Sequence, residues 1–88
     1  MENWNVRYSH HVGDLTVFSE KIGRLGLDKR KTKPLEDDVF ISYNVDTNEL
    51  LMVEIMDAEK RISDIENLSR EALIERVKEI INLKEWES

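Results

Sequence analysis

Apolar and polar residues alternate at the start of the chain: Trp4, Val6 and Tyr8 are separated by Asn5 and Arg7. Period two with aromatic and β-branched side chains predicts a half-buried strand. Leu15, Thr16, Val17 and Phe18 predict a second strand. The polar run SHHVGD between them, with Gly13 free to take left-handed backbone, closes a hairpin over residues 4–18. A third strand is predicted over 39–45, with Val39, Ile41, Tyr43 and Val45 on one face and Phe40, Ser42 and Asn44 on the other. A fourth, over 50–57, places Leu51, Val53 and Ile55 on one side and Leu50, Met52, Glu54 and Met56 on the other. The polar turn at 46–49 joins them, and Asn48 is its best candidate for a positive φ.

The period then changes. Leu73, Ile74, Val77, Ile80 and Ile81 fall within an arc of about 120° at helical spacing, a stripe that faces a core. Ser69 is a suitable N-cap and Glu71 a favourable charge in the first turn. Ser63 and Glu66 have the spacing of an earlier capping box. Residues 19–38 show neither period. They hold the other two glycines and Pro34, and read as a long connection with at most a short edge strand around 29–33. The expected fold class is α+β: a four-stranded antiparallel sheet of two hairpins with one C-terminal helix packed on one face. One domain covers 1–88, a β-meander over 1–62 with a basic loop at 19–35, then a C-terminal helix over 63–88.

One helix covers one sheet face. Phe18, Phe40, Met52 and Met56 are left pointing the other way, and such a patch is uncommon on a monomer. The expectation is a homo-oligomer with those four residues at its interface. The alternative is that the connection folds over them through Ile22, Leu25 and Leu27. On the helix, Ala72, Leu83 and Trp86 lie off the core stripe and form a second candidate partner-binding side, beside the acids Glu79, Glu85 and Glu87.

Charge sharpens this picture. The net charge is −6, divided as −1 over 1–18, +4 over 19–35 and −9 over 36–88. The overall sign disfavours nucleic acid and favours a basic protein partner. The basic segment nevertheless supplies an alternative function: a nucleic-acid module using Lys29, Arg30, Lys31 and Lys33, next to the Gly-x-x-Gly step at Gly23 and Gly26. There is no cysteine, hence no disulfide or thiolate metal site. No apolar stretch approaches the roughly 20 residues that cross a bilayer, and the N-terminal residues lack a signal pattern, so a cytoplasmic protein is expected.

Candidate chemistry is sparse. His10 and His11 with Asp14 lack a third ligand at convincing spacing. Glu36, Asp37 and Asp38 read as charged gatekeepers before an apolar strand. Glu54 stands mid-strand among apolar residues. It reads either as a perturbed carboxylate, the centre of a small enzyme or ligand carrier, or as one half of a cross-strand ion pair with Arg7. No acid–base pair is positioned by the pattern, so neither enzymatic activity nor a cofactor is expected.

Tyr8, Asp14, Leu15 and Val17, followed by Val53-Glu54-Ile55-Met56-Asp57-Ala58, carry a resemblance. In that pattern the chain resembles a family of short prokaryotic proteins grouped as domain of unknown function 2283, over about residues 6–58. Ser9 stands where that family usually has Asp, Asp14 is shifted by one position, and the 46–49 turn lacks the usual Gly and is one residue longer. The resemblance implies a β-hairpin protein without enzymatic activity. Since some members look like antitoxins, it also implies a basic ribonuclease-like toxin as partner.

Overall fold

The computed structural model describes residues 4–81. Five strands form one antiparallel sheet: β1 (Trp4–Ser9), β2 (Asp14–Ser19), β3 (Arg30–Glu36), β4 (Val39–Asn44) and β5 (Leu50–Ile55). Helix α1 (Arg70–Ile81) follows. The strand order is β1-β2-β5-β4-β3, so the last strand in sequence is the central one in space. The α+β class is as the pattern indicated, but the four expected strands are five. The additional strand, β3, lies inside the segment read as a loop. Its side chains are almost all exposed, because it pairs only with β4 at the sheet edge and the helix does not reach it. Pro34 is tolerated there, and the pairing shifts between Pro34 and Glu36.

A crossover joins β2 to β3 around the end of the sheet through two short 3-10 turns, Glu20–Arg24 and Leu27–Lys29. It is tied to the β4–β5 turn. Lys21 Nζ lies 2.9 Å from Glu49, Lys29 Nζ lies 3.2 Å from Asp46, and the Val45 N–H donates to the Lys29 carbonyl at 2.9 Å. The turn itself is an Asx turn: Asn44 Oδ1 accepts from the N–H of Asp46 at 2.9 Å, and Asn48 takes φ 63° as its sequence suggested.

The core lies between one sheet face and the helix. Trp4, Leu15, Val17, Val39, Ile41, Val53 and Ile55 meet Leu73, Ile74, Val77 and Ile81, with Ala58, Ile62 and Ile65 filling from the segment before the helix. The Ser69 hydroxyl caps α1 by accepting from the Ala72 N–H at 3.1 Å. Ser63 and Glu66 are exposed and form no capping box; a 3-10 turn, Ile65–Asn67, stands there instead. Leu50 also departs from simple alternation. The β4–β5 register shifts after Ser42, Tyr43 pairs with Leu50, and Leu51 is the extra residue, so both leucines are buried.

The exit from β5 is pinned at the other sheet end. The Met56 N–H donates to the Asp38 carbonyl and the Ala58 N–H to the Gly13 carbonyl, both at 2.8 Å. Asp57 between them adopts φ 49°, and Gly13 takes φ 75°. Arg61 grips the β3–β4 turn: Nε and Nη2 donate to the two Asp38 oxygens at 2.8 and 2.7 Å, and Nη2 also bonds Glu36. That hydrogen bonding holds the Asp38 carboxyl below its ordinary range and raises Arg61 further. A carboxylate depressed by folding stabilises the native state above its unfolded value of about 4 and loses that contribution as pH falls through its folded value. Arg61→Ala should therefore lower Tm by a few degrees at neutral pH and flatten the decline of Tm below pH about 4, as followed by circular dichroism. An unchanged acid limb would show that the clamp carries no weight.

Candidate interaction surface

Antiparallel register places the side chains of the sheet face away from the helix in two rows. One row runs Arg7, Thr16, Glu54, Phe40, Pro34; the next runs Asn5, Phe18, Met52, Ser42, Thr32. The helix packs on the opposite face. Phe18 and Met52 are directly paired, Phe40 and Pro34 likewise, and Met52 and Phe40 are diagonal neighbours. These side chains form one apolar strip across four strands. Phe18, Phe40 and Met52 are half-buried and none enters the core cluster. Met56, one residue beyond β5, is 46% exposed at the margin. Of the connection's apolar residues Leu27 is 78% exposed, while Ile22 and Leu25 are half-buried and, like the fully buried Leu51, lie outside the core cluster.

The strip has polar support. Ser42 is only 2% exposed, and its hydroxyl lies 2.8 Å from that of Thr32, joining β4 to the edge strand. The Arg7 guanidinium stands over the Phe18 ring, 5.7 Å from its centroid. Arg7 does not pair with Glu54, because β2 intervenes and Thr16 stands between them. Among the described residues Glu54 has no hydrogen bond or ion pair. Its cross-strand neighbours are Thr16 and Phe40.

The other candidates are dispersed. Strand alternation turns Arg30 towards the open face with Thr32 and Pro34, and Lys31 and Lys33 towards the other face. Lys29 is paired with Asp46, and the Lys33 ammonium lies 5.7 Å from the Tyr43 ring centroid. The four cations thus line an edge and share no common surface. Ala72 is half-buried on α1; Leu83 and Trp86 lie outside the described residues. His10 and His11 do not converge. His10 Nδ1 lies 3.0 Å from Glu66 and its ring stands edge-on to Tyr8, while His11 is exposed. Burial, with Glu59 and Glu66 nearby, holds the Tyr8 phenol above its ordinary range. No three His, Asp or Glu side chains gather around a metal-sized space among the described residues. Glu36 and Asp38, read as gatekeepers, are the Arg61 clamp. The sequence held no signal for that contact, because its partners are more than twenty positions apart. No helix among the described residues is long and apolar enough to cross a membrane. No family model, curated protein or solved structure matches the chain, so the family resemblance rests on the residues quoted for it.

Proposed function

We propose that this chain is a non-catalytic interaction domain that works as a homo-oligomer, with a second copy covering the open sheet face. The observation that carries the reading is the strip Phe18, Met52, Phe40 and Pro34, contiguous across four strands on the face away from the helix and outside the core cluster. Covering apolar area of this kind stabilises association at about 25 cal/mol per Å². Charge supports a second copy as the cover. The chain as a whole carries −6, yet the two rows of the face carry one cation, Arg7, and one anion, Glu54. Two acidic molecules repel least where their surfaces are neutral, so this face is where two copies can meet.

Light scattering across a concentration series tests the reading. The wild-type chain should reach at least twice the 10.4 kDa monomer mass. Phe40→Ser should return it to monomer while Tm stays within a few degrees, since Phe40 lies outside the core cluster. A wild-type protein that stays monomeric at every attainable concentration overturns it.

A further inference from the structure

The two edges of the sheet differ in kind. β1 carries a single charge, Arg7, while β3 carries Arg30, Lys31 and Lys33 and is exposed along nearly its whole length. Cations and a proline on an edge strand ordinarily keep other strands away. Two leucines break that pattern. Leu27, in the 3-10 turn that leads into β3, is 78% exposed. Leu35, near the far end of the strand, is 39% exposed, because the register shift between Pro34 and Glu36 leaves it without a partner on β4. Exposed leucines do nothing to protect an edge. Here they bracket the cations over a reach of roughly 20 Å.

The acids around this edge are mostly engaged. Arg61 holds Glu36 and Asp38, Lys29 holds Asp46, and Lys21 holds Glu49. Asp28 and Asp37 have no ion pair among the described residues, and neither do Arg30 and Lys31. The segment 19–35 carries +4, and those before and after it carry −1 and −9. A molecule so divided turns this edge towards a negative surface and its acidic bulk away from it. Because the cations alternate between the two faces of β3, a small ligand cannot touch them together. A plane laid against the edge can, since the long stems of Lys and Arg let charges on either side reach it. A bilayer is such a plane: its anionic headgroups match the cations, and the boundary of its acyl chains accepts the leucines. Nucleic acid matches the cations equally but gives the leucines no partner, and the Tyr43 ring already has Lys33 over it.

We propose that the β3 edge, from Leu27 to Leu35, docks this protein on the surface of an anionic phospholipid bilayer, with the cations on headgroups and the two leucines in the interface. This contact uses an edge of the sheet and stands apart from the contact between copies on its face. Co-sedimentation with vesicles tests it. The wild-type chain should bind vesicles of phosphatidylcholine with about 30% phosphatidylserine, ignore phosphatidylcholine alone, and be released by about 0.5 M salt. Each cation beside such a surface is worth a factor of about five, so the triple variant Arg30→Gln, Lys31→Gln, Lys33→Gln should bind roughly 100-fold more weakly. Leu27→Ser should cost roughly 10-fold with every cation in place. These four side chains lie outside the core cluster, so circular dichroism should show the native fold in both variants. A wild-type chain that does not bind the phosphatidylserine vesicles overturns the proposal. So does vesicle binding that Leu27→Ser leaves unchanged, or tighter binding to a single-stranded oligonucleotide that needs the cations and not Leu27. Each of these results leaves the homo-oligomer reading standing.

Discussion

Asp in place of Val17 is expected to abolish the native state, whereas Asp at the adjacent Phe18 is expected to leave the fold standing and remove only the contact between copies. The two residues are neighbours on β2 and point to opposite faces. Val17 is 0% exposed and pairs with both Val6 and Val53, under the helix. A carboxylate there has no cation in reach and no water, and it also forfeits the burial of the valine. The combined cost is at least about 5 kcal/mol. A domain of 88 residues has about 4–13 kcal/mol in all. Phe18 is half-buried on the open face with Arg7 over it, so Asp there stays hydrated and gains a nearby cation. Thermal melts should show no cooperative transition for Val17→Asp and a transition close to wild type for Phe18→Asp. Light scattering should find the latter monomeric. Loss of the fold in Phe18→Asp would mean that the open face is part of the monomer's core.

Val77→Asp should be nearly as severe, by a different route. Val77 is the central contact of α1, fully buried between Leu73, Ile74 and Ile81 on the helix stripe. A charge at this point forces the helix off the sheet. A free helix of 12 residues is marginal in water, so undocking amounts to unfolding it. Leu73, Ile74 and Ile81 then lose their cover, at about 1.5–3 kcal/mol each. The core face of the sheet would lose its cover. The expected signature is weakened far-UV ellipticity near 222 nm together with strong binding of a hydrophobic dye at room temperature. A cooperative melt within a few degrees of wild type would contradict the placement of the helix.

Period alone made much of this legible. The hairpin over 4–18, the two strands on either side of Asn48, the Ser69 cap and the stripe from Leu73 to Ile81 are all where residue spacing put them. Each buries one face, and burial writes itself into alternation. β3 buries almost nothing, so RKTKPLE carries no alternation, and backbone pairing to β4 holds it without a side-chain signature. Alternation puts Leu50 with Met52 and Glu54, but it packs in the core, because a bulge adds a residue without changing the local composition. The positive φ of Asp57 was hidden for another reason: the constraint comes from the bonds that Met56 and Ala58 make to distant turns. The open-face residues Phe18, Phe40 and Met52 were legible by parity. The isolation of Glu54 from Arg7 was not, since it depends on β2 lying between β1 and β5.

The central place of β5 has a consequence for how the molecule comes into being. Two hairpins, β1–β2 and β3–β4, are complete before β5 has been made, and neither is stable alone in water. Only β5 joins them, by pairing Leu15–Phe18 on one side and Val39–Tyr43 on the other. On the ribosome, native order therefore arrives late and in a single step. Until then the growing polypeptide exposes the very strand edges at which nascent chains aggregate.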